Sequence, residues 1–381
     1  MSETIVPAKD HSLRHSRIHF SRQEAVFLLL IVVSMFGLYR HTLQYDLIWD
    51  TKNFAAGSLL LNKNRPLTDA FRYGYIQGQF GENERSFYYR PIMNLSMMLE
   101  NRLWGFQNVG IRLVNISLFS LALFCLFVFL KLQVIFEDFA ILCTALFAFL
   151  PLNADNVVWG VSRCDLFLLL WGCLALIFFH LHLDDKNRFF YGLSLVFFAL
   201  GVYSKETFVF FSPILAIYEW HRNKRISWLR QSAFILIIIS FFVIKHSALQ
   251  LISLGTQPMP TLFANLRLLF SALGYYVRIL LFPIGFAKFT FNPEILNPTC
   301  LLIGIGSFVS LISYLFATHF KKNIVPLSLT AFFLVPFVGL AFSNLWPFKI
   351  SARYMMVPSI GVIWLFCLCL RNVKRYLRYL A

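Results

Sequence analysis

The 381-residue sequence predicts an all-α, polytopic membrane protein. Three observations carry that prediction: 58% of the residues are hydrophobic, only 14% are charged, and apolar runs of membrane-crossing length recur between short charged breaks. A hydrocarbon core about 30 Å thick takes roughly 20 apolar residues of helix. Ten runs qualify, near 24–42, 109–131, 138–153, 165–183, 189–204, 207–220, 232–250, 299–318, 324–343 and 354–370. An eleventh stretch, 262–287, carries Arg267, Arg278 and Pro283 and reads as an interfacial or re-entrant helix within an outer loop at 251–298.

Orientation follows from the short basic segments. Lys9, Arg14, Arg17 and Arg22 precede the first run, Arg222, Lys224, Arg225 and Arg230 follow the sixth, Lys321 and Lys322 follow the eighth, and Arg371, Lys374, Arg375 and Arg378 close the chain. With ten spans all of these share one side, which is the cytoplasm by the positive-inside rule. The expected organisation is then a cytoplasmic basic arm over 1–23, a membrane domain over 24–370 and a cytoplasmic tail over 371–381. Residues 43–108 become a large first outer loop. The first run has no small-residue cleavage site, so it is expected to stay as an anchor.

A net charge of +16 would suggest nucleic acid on a soluble domain, but here it points to anionic lipid and phosphate. His11, His15 and His19 are spaced to share a helix face and suit a basic arm lying on headgroups. His180 and His182, two apart, face different ways and suggest no metal site. Seven cysteines occur without a C-x-x-C pair. Cys125, Cys143, Cys173, Cys367 and Cys369 lie in apolar runs as packing, whereas Cys164 and Cys300 fall outside the membrane and leave a disulfide open.

Polar groups are costly in so apolar a chain, and these gather at the outer ends of the spans. They are Asp46 and Asp50, then Arg90, Arg102 and Arg112, then Asp155, Arg163 and Asp165, then Lys205 and Glu206, and finally Lys349 and Arg353. A transporter would rather place ionisable groups at the bilayer midplane on broken helices in two related halves. A carboxylate base, cations for a phosphate and aromatics along a groove instead suit an enzyme working on a lipid-linked phosphate at the membrane surface.

Seven stretches carry a resemblance that runs along nearly the whole chain: WDTKNF (49–54), YYRPI (88–92), LVNISL (113–118), VVWGVSRCDLF (157–167), YSKETFV (203–209), LGYYVRILLFP (273–283) and ARYMMVPSIG (352–361). In that order they resemble the membrane region of the GT-C integral-membrane glycosyltransferases, most closely the transmembrane-and-TPR O-mannosyltransferase-like group. The chain departs from that group in having Thr51 after Asp50, Arg112 and Phe119 in place of histidines, Leu150 before Pro151, Ala352 in place of an acid, and no TPR array.

The resemblance implies a GT-C bundle of about ten transmembrane helices. It also implies transfer of a sugar, mannose or a similar hexose, from a polyprenyl- or dolichyl-phosphate carrier to an acceptor hydroxyl, with inversion. By that likeness Asp50 is the general base and Arg353 a phosphate ligand; Arg163, Asp165, Lys205, Glu206, Arg90 and, as a second acidic group across the cavity, Asp155 complete the candidate substrate-binding set. Arg90, between two tyrosines and Pro91, also reads as a rigid junction holding the loop. The ordinary readings remain beside these: interfacial ion pairs for Arg163–Asp165 and Lys205–Glu206, an interfacial anchor for Arg353, a mobile loop for Glu82 and Glu84, and a headgroup belt for Trp49, Trp104, Trp159 and Trp346.

No cofactor or metal is called for, although a divalent ion is left open. The expected partners are the lipid-phosphate sugar, an acceptor protein, lipid or glycan, and membrane lipid, with no nucleic acid. A bacterial inner membrane, or otherwise the endoplasmic reticulum, is the expected location. A lipid-linked-sugar flippase or other transporter is the alternative.

Overall fold

The computed structural model describes residues 19–75, 88–133, 135–136, 138–249, 262–282, 297–317, 323–334 and 351–380. The basic arm with His11 and His15, and Glu82, Glu84, Lys321, Lys322, Trp346 and Lys349, lie outside these residues, as does the Trp49 side chain. The described elements are helices: α1 (Arg22–Tyr39), α2 (Trp49–Gly57), α3 (Pro91–Trp104), α4 (Asn108–Lys131), α5 (Phe139–Ala148), α6 (Ala154–Val158), α7 (Arg163–Asp185), α8 (Arg188–Ser204), α9 (Phe211–Asn223), α10 (Trp228–Leu249), α11 (Leu262–Leu281), α12 (Pro298–Ala317), α13 (Ile324–Ala331) and α14 (Met356–Leu380).

Local chemistry sets their boundaries. Ser21 and Glu24 close a reciprocal capping box on α1, and Pro91 opens α3 at the position where a missing N–H costs nothing. Lys186 and Lys224 take left-handed conformations that end α7 and α9, so each helix turns back into its neighbour.

The result is an all-α polytopic membrane fold. Among the described residues, Arg22–Gln44, Asn108–Lys131, Gly160–Asp185, Trp228–Leu249 and Arg353–Arg371 are long and apolar enough to cross a bilayer. A sixth candidate is the pair Phe139–Ala148 and Pro151–Val158, bent by 57° where Pro151 interrupts the helix. Helices begin at all ten expected places, but not all are spans by length. Arg188–Ser204 and the described part of the 324–343 run, Ile324–Leu334, are shorter, and 207–220 splits into a 3₁₀ turn (Glu206–Phe210) and α9. α11, with Arg267 and Arg278, is not among the candidate spans.

Side-chain contacts sort the helix ends into two groups. At one end Lys131 of α4 bonds Glu24 of α1, Arg222 of α9 pairs with Asp184 of α7, and Arg371 of α14 donates to the Ile135 carbonyl. Fully buried Glu219 there gathers Arg230, Gln231 and the Ser227 amide, pinning the α9–α10 connection. At the other end lie the start of α4, whose Arg112 donates to the Tyr45 and Asp46 carbonyls, the start of α7, the end of α8 and the start of α14. The described members of the expected polar rim are therefore drawn together at one end.

Between the ends a core of Phe127, Phe129, Leu169, Leu176, Phe211, Leu215 and Trp364 joins α4, α7, α9 and α14. α11 and α12 cross so closely that a Cβ on Gly274 would fall 1.7 Å from the Cys300 carbonyl oxygen, and one on Gly304 would fall 1.8 Å from that of Phe270. Glycine is required at such an approach of two backbones. This hairpin reaches α14 through Tyr276, whose hydroxyl lies 3.3 Å from both the amide and the carbonyl of Ser351. Cys164 and Cys300 are both buried free thiols, so the disulfide left open by the sequence is not formed.

Candidate active site at the polar end of the bundle

The short turn Gly160–Ser162, which leads into α7, organises the polar end. Its first residue sits so close to α2 that a Cβ on Gly160 would meet Thr51 Cγ2 at 2.6 Å and Ile111 Cγ2 at 2.8 Å. The Val161 amide donates to Thr51 Oγ1 (3.3 Å), and the Tyr75 hydroxyl donates to the Val161 carbonyl (3.1 Å). The segment between α1 and α3 is thus sewn to the start of α7.

Beyond the turn, Asp165 projects from the first turn of α7 and pairs with Lys205, the residue that ends α8. Both side chains are buried. Burying two charges is expensive unless each has its partner, and they have each other. They line a small cavity of about 20 Å³ together with Leu168, Thr207, Phe332, Arg353, Tyr354, Met356 and Val357. Arg353 lies in the 3₁₀ turn Ala352–Met355 ahead of α14. Its guanidinium is 4.8 Å from the centre of the Trp159 ring and 5.2 Å from that of Tyr354, and its Nη2 donates to the Tyr354 hydroxyl (3.4 Å). Lys205 Nζ lies 5.3 Å from the same Tyr354 ring. Two cations, one carboxylate and an aromatic wall in a half-enclosed apolar hollow suit an anion with a greasy tail better than a free ion in water.

A second ion pair flanks this cavity. Arg90 Nε and Nη2 each donate to Glu206 at 2.9 Å in a two-pronged bond, and the guanidinium lies 5.0 Å and 4.6 Å from the rings of Tyr75 and Tyr88. Its Nη1 also reaches Cys164 Sγ at 3.6 Å, so Arg90 borders the residue next to Asp165. Burial pushes the Glu206 carboxyl up, but the Arg90 guanidinium, its hydrogen bonds and Lys245 outweigh that and leave it at about 2. A carboxylate held below its ordinary value of 4.5 contributes stability that is present above that value and fades as pH falls toward 2. The expected result is that infrared difference spectra of Glu206→Gln against wild type show no Glu206 protonation between about pH 8 and pH 4.5. A carboxyl band titrating within that interval would contradict the pairing.

The structure distributes the sequence-predicted residues unevenly. Asp165, Lys205 and Arg353 share the cavity, with Arg90 and Glu206 beside it. Asp155, half-buried in α6, is near enough to Arg353 to feel its charge, and the neighbouring Asn156 donates to the Arg353 carbonyl at 3.4 Å. Asp50 is half-buried in the first turn of α2, next to Thr51. It does not line the cavity, but Tyr75 lies within electrostatic reach of both Asp50 and Arg353.

Arg163 requires a correction. Rather than meeting a phosphate, it is fully buried: Nε donates to Asn115 Oδ1 (2.8 Å), Nη1 to Ser96 Oγ (2.9 Å) and Nη2 to the Ile111 carbonyl (3.2 Å), while Nη1 also forms an ion pair with Glu100 at 2.7 Å. One further expectation changes: Trp159 is buried against Arg353 rather than standing in a headgroup belt. Asp46 lies between helices, near Asn108.

Thr51, Tyr75, Glu100, Asn115 and Tyr354 were missed by sequence reasoning. Asn115 did carry a signal, as an amide within the long apolar run of α4. Among the described residues, no group of three or more histidine, cysteine or acidic side chains is arranged to hold a metal.

The comparison with known families bears on the same residues. Residues 90–246, from Arg90 through Asp165, Lys205 and Glu206 into α10, match the family described as dolichyl-phosphate-mannose-protein mannosyltransferase. This segment, less than half of the chain, is similar to that family. A protein O-mannosyl-transferase of Caenorhabditis elegans is 24% identical over 250 residues, which is 64% of this chain and 35% of that protein. The chain thus spans about a third of the relative's length. No solved structure matches.

Proposed function

We propose that the protein transfers a mannosyl group from a dolichyl- or polyprenyl-phosphate carrier to an acceptor hydroxyl, a protein side chain foremost, on the non-cytoplasmic face of its membrane. The observation that carries this reading is the convergence of Asp165, Lys205 and Arg353 on one apolar-walled cavity at the polar end of a segment matching the mannosyltransferase family. Lys205 and Arg353 take the phosphate of the donor, and Asp165 fixes the Lys205 ammonium between the phosphate and the bundle. As the sugar–phosphate bond breaks, negative charge grows on the leaving oxygen, and preplaced cations stabilise it where water is scarce.

Asp50 is the general base in this reading. It removes the proton of the acceptor hydroxyl as that oxygen attacks the anomeric carbon from the face opposite the phosphate, so the configuration inverts. Support comes from α2, which carries Asp50 and is bonded through the adjacent Thr51 to the turn leading to Asp165. An outer position for the cavity is supported by the positive-inside rule, since the opposite end holds Lys131, Arg222, Arg230 and Arg371.

The test is steady-state transfer from dolichyl phosphate mannose in proteoliposomes. Arg353→Gln is expected to raise the donor KM by about tenfold, as loss of a charge-assisted contact does, with the acceptor KM unchanged. An unchanged donor KM would contradict the assignment of Arg353 to the phosphate.

A further inference from the structure

Two of the groups assigned above stand on opposite sides of one short turn, and the hydrogen bonds on each side are different. On the first side, Thr51 Oγ1 accepts from the Val161 amide and a bare Gly160 lets α2 lie directly on the turn, so the helix bearing Asp50 has its register fixed there. On the second side, the Asn115 side chain accepts from Arg163 Nε through Oδ1, while its Nδ2 donates to the carbonyls of Val157 (3.1 Å) and Trp159 (3.4 Å). Trp159 in turn supplies the ring against which Arg353 rests. Asn115 is wholly buried and Thr51 is 1% exposed, so neither meets a substrate directly.

We propose that Gly160–Ser162 and its flanking Trp159 form a positioning hub that sets the separation between base and phosphate-binding cation, with Thr51 positioning Asp50 and Asn115, anchored by Arg163, positioning Arg353. The inference rests on the proposed transferase reading but concerns residues to which that reading assigns no role. The two arms perturb different kinetic constants. The base acts in the chemical step, so loosening α2 lowers kcat with donor binding intact. The cation acts in donor binding, so shifting the Trp159 ring raises the donor KM.

The experiment compares three variants in proteoliposomes. Thr51→Val keeps the shape and removes the acceptor; kcat is expected to fall about tenfold with the donor KM within about twofold, since a displacement well under the width of an atom is enough to cost that much. Gly160→Ala pushes a methyl group into Thr51 and is expected to behave in the same way. Asn115→Asp keeps the bond from Arg163 but can no longer donate to the two carbonyls; the donor KM is expected to rise about fivefold or more with a smaller change in kcat. Identical losses in both constants for Thr51→Val and Asn115→Asp, as general loosening would produce, would overturn the hub.

A readout independent of activity accompanies these. Spin labels at exposed Lys52 on α2 and exposed Phe189 at the far end of α8 report the seating of α2. Their distance distribution is expected to broaden in Thr51→Val and not in Asn115→Asp, and equal distributions in Thr51→Val and wild type would overturn the proposal. If wild type transfers no mannose, the transferase reading fails on that result and the hub is judged on the distance distributions alone.

Discussion

Replacing Asp50 by Asn should lower mannosyl transfer by about 10² to 10⁴, the range that a positioned general base contributes. The substitution keeps the size and one accepting oxygen of the side chain, while it replaces the other with an NH2 donor and removes the charge and the ability to accept a proton at neutral pH. Asp50 is half-buried at a helix start, so its loss does not open a core, and the protein should extract and elute as wild type does. The donor KM should stay near the wild-type value, because the phosphate is assigned to Lys205 and Arg353 across the Gly160–Ser162 turn. A variant that binds donor normally and turns over at the wild-type rate would remove Asp50 from the mechanism. The cavity carboxylate Asp165 would then be the next group to test.

Arg163→Met is expected to have the largest effect on stability. The native guanidinium is sealed in the bundle, joining α7 to α3 through Ser96 and Glu100 and to α4 through Asn115 and the Ile111 carbonyl. Removing it strands Glu100, itself only 3% exposed, in an apolar surrounding. Breaking a buried ion pair by deleting one partner costs about 3–5 kcal/mol, a large share of the stability of most folds. Thermal unfolding in detergent, followed by size-exclusion chromatography, should show a clear fall in the midpoint for Arg163→Met. It should recover in part in Arg163→Met combined with Glu100→Gln, since the second change removes the stranded charge. An Arg163→Met protein as stable as wild type would mean that the network carries little of the fold.

Arg163 also shows where sequence reading reaches its limit. The R-x-D spacing drew Arg163 and Asp165 together as one outer pair, but two residues apart on a helix are on nearly opposite faces. The structure sends Asp165 to the cavity and Arg163 into the bundle. Likewise Lys205 and Glu206, adjacent in sequence, part company, because α8 ends at Ser204 and the chain turns between them. Lys205 meets Asp165, while Glu206 meets Arg90 more than a hundred residues away. No local pattern encodes either choice.

The all-α membrane fold, by contrast, was legible because long apolar runs admit few alternatives in a bilayer. The gathering of polar residues at one end followed from the alternation of those runs. Thr51 and Asn115 escaped notice because their importance lies in which carbonyl or amide they face, a property of the turn at 160–162 rather than of their own neighbours in sequence.

The fate of the lipid-linked donor in sealed proteoliposomes tests the account most directly. With labelled dolichyl phosphate mannose and a serine- and threonine-containing acceptor peptide, the account predicts one dolichyl phosphate released for each mannose transferred, and a product of inverted anomeric configuration. Donor that crosses the bilayer without being consumed, or a product of retained configuration, would contradict it.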